Sequence, residues 1–520
     1  MDRRERLADR GARRFRGPAA LAACLIIASA CQSSAMPAPP ASAAARSAAP
    51  SVAASGGASQ PAATPPPSIA AGPRWVAAGT TTAWRRAPQA VRLSADRVLL
   101  VGAVEPDEGS EVQTTAEIWD PTTNAWTATD NLPKGRTEFV AVPIANDQVL
   151  VAGGLNTDEP PQSYSSAYIY DGAPGKGTWT KTGLMGAART APSAAVLADG
   201  RVLVAGGYFS SPHSASIDVE TAAELAAYRP GGVSGTQPGR AGLFDIEPEI
   251  GGAALATAEL FDPATGTWSP TGPMHYARMD APAVTLVDGR VLVAGSGSFS
   301  GAGFGITVDG HAFDTAEIYD PATGRFSLVG SLPKIDRAAL EKQGKKGANP
   351  MPEDEGDIGV GPLVALQDGG ALMIGVTGYW KHVADLTRSV RFDASTNKWS
   401  EIGKTYVFVG EPTRIPLWTP GVPALVGARV ETLKDGRVLV AGGQGPNLFG
   451  DTGFNATPTT AAAQVYDPAT NAWSALPAMP TPRSGGASVV LSDGSVLLMN
   501  GVIETNDGGS NLRGAVRFVP

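Results

Sequence analysis

The sequence predicts an all-β fold, a seven-bladed β-propeller whose ring is closed by a strand from the N-terminal side. Three observations predict it. A unit of four short strands recurs, its second strand can be counted seven times, and an unpartnered fourth strand precedes the first complete unit.

The third and fourth strands read most clearly in TAELFDPATGTWS (Thr257–Ser269), TAEIYDPATGRFS (Thr315–Ser327), AAQVYDPATNAWS (Ala462–Ser474) and AEIWDPTTNAWT (Ala116–Thr127). Each is a short alternating strand, an Asp-Pro turn, and a strand opening on Trp or Phe. The first and second strands are an apolar run, an Asp-Gly turn and a second apolar run, a two-residue hairpin signal. DGRVLVAGG occurs identically at Asp199–Gly207 and Asp435–Gly443, with DGRVLVAGS at Asp288–Ser296. A phosphate loop would need such glycines to open a helix. Here they precede long connections and another strand, so they are architectural.

Second strands fall at Arg97–Val101, Gln148–Gly154, Arg201–Gly207, Arg290–Ser296, Ala371–Val376, Arg437–Gly443 and Ser495–Gly501. The aromatics opening fourth strands are Trp75, Trp126, Trp179, Trp268, Phe326, Trp399 and Trp473. Trp75 precedes every complete unit, whereas the last unit stops at Gly514–Pro520 without a fourth strand. An Arg follows the aromatic by ten residues at Arg136, Arg189, Arg278 and Arg483, and Arg85 stands in the same relation to Trp75. Arg74–Gly79 is therefore expected to pair with Gly514–Val519 and close the ring, leaving no open sheet edge at its ends.

At these residues the chain resembles the kelch-repeat family, over about Arg74 to Pro520. The glycine pair after strand two, the aromatic before the third-strand turn and the Trp opening strand four carry the resemblance. It implies the propeller and says little of function. Galactose-oxidase-like copper enzymes of this kind share seven blades and hold an axial copper through Tyr and His, beside a Cys–Tyr crosslink. Cys24 and Cys31 are the only cysteines here, both before the predicted propeller, so that crosslink has no cysteine to form from.

The N-terminus reads as an export signal over residues 1–30. Seven arginines in Met1–Arg16 precede a twelve-residue apolar run, Ala19–Ala30, too short to span a bilayer. The small residues Ala28-Ser29-Ala30 before Cys31 resemble a bacterial lipobox, which would make Cys31 the lipidated first residue. Leu21-Ala22-Ala23-Cys24 fits the lipobox letters better but leaves too short an apolar segment, and plain secretion is the alternative. Residues 31–73, nearly all Ala, Ser, Pro and Gly, read as a disordered tether ahead of a propeller over 74–520. The expected place is the cell envelope, anchored to the outer membrane and facing periplasm or surface. Residues 1–30 hold seven basic and three acidic side chains; the remainder has 34 against 46, a net charge of −12. That balance argues against nucleic acid or an anionic membrane face as partner.

In a four-stranded meander, turns one–two and three–four lie on one face and connections two–three and four–one on the other. The first kind is short throughout. The second carries every long insertion: Leu155–Ser166, Tyr208–Ala256, Gly297–Asp314, Asp336–Asp357, Glu401–Pro423 and Gln444–Ala461. Connections this long are uncommon without a role, so this is the working face, although insertions can also simply be tolerated there.

Counting back ten residues from each one–two turn lands on Arg85, Arg136, Arg189, Arg278 and Arg483, but on Ile358 and Leu425 in blades 5 and 6. By resemblance to other kelch propellers such arginines can ring the mouth and engage carboxylates. The plainer alternative, which their recurrence favours, is that each holds blades together. The break at Ile358 and Leu425 marks where a ligand site is expected, with Tyr379 and Trp380 as stacking surfaces alongside Tyr208 and Phe209. His213, His275, His311 and His382 all fall on the working face, and His275, His311 and His382 are the ones an axial metal would use. None shows a short ligand spacing, and loop packing explains them equally. The acidic run Glu353–Asp357 lacks calcium-loop spacing. No cofactor and no catalytic residue is implied by any motif.

The expectation is therefore a binding propeller for a protein or glycan, monomeric, touching membrane only through its anchor. An enzyme of the kelch class is the alternative, an axial-metal oxidase or a metal-free sugar isomerase, the latter needing a buried carboxylate held protonated at the axis. A scaffold without a small ligand is the third reading.

Overall fold

The computed structural model describes residues 72–104, 113–156, 163–210, 252–295, 315–333, 361–374, 389–402, 427–443, 459–505 and 508–520. They form seven four-stranded antiparallel sheets, with two small hairpins and one short 3-10 turn, Ser94–Asp96. Blade 3 shows the pattern: Ser193–Val196 innermost, then Val202–Ala205, Ala258–Asp262 and Thr267–Thr271 outermost. The other innermost strands are Arg86–Arg92, Val140–Ile144, Ala283–Thr285, Leu363–Ala365, Arg429–Thr432 and Ala487–Val490.

The ring closes as the register of the Trp–Arg spacing predicts. Arg74–Thr80 pairs antiparallel with Gly514–Val519, Trp75 opposite Phe518, and supplies the fourth strand of blade 7. Trp75 packs on Phe518 with ring centroids 5.1 Å apart and donates Nε1–H to the carbonyl of Pro477 in blade 6. The same tilted stacking joins Tyr170–Trp179, Phe261–Trp268, Tyr319–Phe326, Phe392–Trp399 and Tyr466–Trp473. Such a pair contributes about 0.5–1.5 kcal/mol beyond burial of its area.

Four strands cannot bury both faces of a sheet, so each blade is covered by its neighbours. Seven apolar clusters fill the seven seams, as where Val91 and Leu99 of blade 1 meet Ala141, Val149 and Tyr170 of blade 2. The turns between strands three and four, Asp-Pro in four blades and Asp393-Ala394 in blade 5, have a local cause: the Asp carboxylate accepts a backbone N–H two residues on, in Asp120, Asp262, Asp320, Asp393 and Asp467. Four residues after that Asp the chain is left-handed, which is why only Asn124, Gly266, Gly324, Asn397 or Asn471 stands there.

The glycine pairs mark the blade-to-blade junction. In Gly153–Gly154 and Gly206–Gly207 all four φ angles are positive. The second glycine donates its N–H to the carbonyl of the next blade's Arg: Gly154 to Arg189 and Gly207 to Arg278, both at 2.8 Å. A Cβ on Gly206 would lie 2.5 Å from that Arg278 carbonyl, and one on Gly207 2.9 Å from the Thr190 carbonyl. The predicted second strands therefore end early, at Ala152, Ala205, Ala294 and Ala441, because the glycines leave the ladder. Beyond them the chain rises as short hairpins on the working face, Tyr208–Ser210 with Gly252–Ala254 and Val502–Thr505 with Gly508–Asn511.

Candidate functional site at the axial mouth

The arginine series lies beneath the working face, inside the wall. Arg85, Arg136, Arg189, Arg278 and Arg483 are each no more than 3% exposed. Arg278 shows the arrangement. Its Nη1 donates to the carbonyls of Gly295 and Thr315, at 2.9 and 3.0 Å, and its Nη2 to the Thr315 hydroxyl and to Glu317. Arg189 repeats this on Gly206, Thr257 and Glu259, and Arg136 on Gly153 and Ser166. The carbonyls served are those where strands two and three diverge, which would otherwise be buried with incomplete partners. A planar fork with several donors suits that place.

Glu117, Glu259 and Glu317 complete the arrangement, and the sequence reading missed them. Each ion-pairs with its Arg, at 2.6, 2.9 and 3.0 Å, from a fully or nearly fully buried position. Each also accepts backbone N–H groups from the incoming connection: Thr82 on Glu117, Gly186 and Ala187 on Glu259, His275 and Tyr276 on Glu317. The signal was present in three of the five blades that carry the Arg: Glu follows Thr-Ala in blades 1, 3 and 4, whereas blades 2, 5, 6 and 7 have Tyr168, Val390, Gln464 and Val516 there. Burial pulls the Arg85 and Arg189 guanidinium groups below their ordinary range, and Glu117 and Glu259 oppose this. Arg483, with no carboxylate opposing burial, falls to about 10.

Above this layer the innermost strands begin with a ring of backbone contacts. The Glu138 carbonyl accepts the Ala191 N–H at 2.8 Å, the Ala191 carbonyl accepts the Asp280 N–H at 2.9 Å, and the Gly427 carbonyl accepts the Gly485 N–H at 2.8 Å. All five residues are left-handed, with φ of 54, 46, 47, 69 and 65°. Glycines fill this position in blades 6 and 7, but blades 2 and 4 place Glu138 and Asp280 there, two residues after Arg136 and Arg278. Asp280 is partly buried, and its carboxylate receives no hydrogen bond from the described residues. Burial, with the Glu138 charge alongside, pushes the Asp280 carboxyl well above the usual carboxylate range.

His275 stands 47% exposed on the same face, its Nδ1 2.8 Å from Glu317 Oε2. Thr82 uses its hydroxyl on Glu117 in the equivalent place in blade 1. Among the described residues no three His, Cys, Asp or Glu side chains gather to hold a metal. Cys31, Ile358, Leu425, Tyr379, Trp380, His213, His311 and His382 lie outside the described residues. Phe209 and Tyr208 lie in the working-face hairpin of blade 3.

No family model matches the chain. It is 39% identical over 93 residues to the Kelch-like protein terF of Aspergillus terreus, a stretch covering 17% of this chain and only 19% of that relative. Its fold matches a copper-bound fungal alcohol oxidase of the AA5 family at a TM-score of 0.51 and 14% identity. That match covers 86% of this chain and 76% of that one, and at this identity it speaks for fold alone. Repeat and fold together make this chain a seven-bladed β-propeller of the kelch type.

Proposed function

We propose that the chain is an exported recognition propeller, anchored through Cys31, that takes a protein or glycan ligand on its long-loop face over the axial mouth. The observation that carries this reading is the placement of chain entry and long loops on opposite faces. Arg74 pairs with Val519, at the end of the third strand where the short turns lie, so a tether enters from the plain face. An anchored propeller would then present its loops away from the anchor. At the mouth the partly buried Asp280 carboxyl, raised by burial and the Glu138 charge, suits hydroxyl or amide groups on a ligand.

The test is site-specific photo-crosslinking in the anchored chain, from Phe209 on the loop face and from exposed Thr265 on the plain face. Crosslinks from Phe209 that vanish in D280A, with none from Thr265, are expected; equal labelling from both sites would overturn the reading. C31S should release the protein from the membrane fraction, and its retention there would remove the anchor.

A second reading has one observation in its favour. Asp280 is a partly buried carboxyl that burial and the Glu138 charge push well above the usual carboxylate range, the kind of shift a metal-free sugar isomerase needs for acid–base work. Turnover of a reducing sugar, followed by polarimetry and lost in D280N, would select it.

A further inference from the structure

The innermost strand of every blade has one residue that pairs with the central Leu of strand two. These residues are Val91, Val142, Ala195, Val284, Val364 and Val489 in six blades, opposite Leu99, Leu150, Leu203, Leu292, Leu372 and Leu497. In blade 6 the same register places Glu431 opposite Leu439. Its six counterparts are aliphatic side chains buried in the seams. Glu431 faces blade 7, where its Oε1 accepts a 2.7 Å hydrogen bond from Ser488 on that blade's innermost strand.

A carboxylate has room for about four hydrogen bonds, and the described residues give this one a single donor. It is 8% exposed, and Arg429, two residues earlier on the same side, is also buried. The remaining surroundings are apolar: Leu433, Leu439 and Val465 from blade 6, Val496 and Leu498 from blade 7. No titratable side chain faces it from the described strands of blade 7, so Arg429 is the one charge acting on it. We propose that the seam between blades 6 and 7 is a proton-sensitive joint, closed like the other six when Glu431 is protonated and loosened when it ionises.

The direction of the effect follows. Burial outweighs the Ser488 hydrogen bond and the attraction of Arg429, and pushes the Glu431 carboxyl up to about 7 from an ordinary 4.5. Between those values the folded chain holds a proton that the unfolded chain has released. The contribution is thus full below about pH 4.5 and lost as pH rises through 7. Blade 7 is also the blade assembled from both ends of the folded chain, so this seam borders the closure of the ring.

The experiment measures denaturant unfolding of the full chain at pH 5 and pH 8, for wild type, E431V and the near-isosteric E431Q. The wild-type folding constant should fall at least about ten-fold more than that of either variant, as linkage requires of such a shift. Hydrogen exchange, corrected for its intrinsic pH dependence, adds a local readout. Protection of Arg429–Thr432 and Ala487–Val490 should fall with pH in wild type and hold in E431Q. Parallel pH profiles for wild type and both variants, or an equal loss of protection at the other seams, would overturn the proposal. Should E431V fail to fold, E431Q alone carries the comparison.

Discussion

Single side chains show how a repeated residue can look like a binding site and be architecture. Arg85, Arg189 and Arg278 each stand ten residues after the aromatic of a fourth strand, yet each is enclosed, its fork divided between backbone carbonyls and a buried Glu. A guanidinium already engaged in this way has little to offer a ligand at the mouth. Removing one partner leaves the other charged and buried, so E317Q should destabilise the chain by about 3–5 kcal/mol, the usual penalty for breaking a buried pair. Denaturant unfolding checks it, and a loss under 1 kcal/mol would show that the pair is dispensable. The spacing of the arginines was legible in the sequence. Their burial was not, because it depends on Glu317 arriving from a strand 39 residues away.

At the level of the element, the glycine pair explains why blades sit at a fixed distance. Its second N–H reaches the Arg carbonyl of the next blade, and its first glycine lies against the same carbonyl. G206A would put a Cβ 2.5 Å from Arg278 O at a φ of +66°, combining backbone strain with a clash against main chain. A loss of about 3 kcal/mol or more is expected, read as a lowered denaturation midpoint. An unchanged midpoint would mean that the junction has slack. Blade 7 varies the theme: Asn500 takes the first glycine's place at φ 57° and donates from Nδ2 to Thr81 Oγ1 and the Leu512 carbonyl. That amide ties the second strand of the blade to the end of the N-terminal strand, a role glycine could not fill.

For the whole molecule the decisive feature is closure. The fourth strand of blade 7 comes from the other end of the chain, held by the Trp75–Phe518 contact, the Thr81 N–H on Arg513 and Arg513 Nη1 on Thr82. Deleting residues 32–71 should leave the unfolding midpoint unchanged, whereas extending the deletion through Thr82 exposes the edge of Gly514–Val519 and should leave the protein aggregating or unfolded. Size-exclusion chromatography and circular dichroism of the two truncations decide it, and a soluble, folded longer deletion would refute the closure. The two carboxyls at the mouth and the one in the blade 6 seam belong to this scale too, since the surroundings of each are supplied by other blades.

By itself the sequence determined the number of blades, their strand order, the closing strand and the face that carries the long connections. These follow from local signals, turn residues and alternating apolar positions, repeated often enough to count. Only the tertiary structure decided which polar residues are enclosed and which stand at the axis. Glu138 and Asp280 share no motif, and they stand on either side of Ala191 only because left-handed residues of successive blades hydrogen-bond around the ring. Glu431 sits in an ordinary-looking strand, ARVETL, and becomes unusual only when six aliphatic counterparts align with it in space. Burial is a property of what packs against a residue, and in a ring of blades the packing partner comes from another repeat.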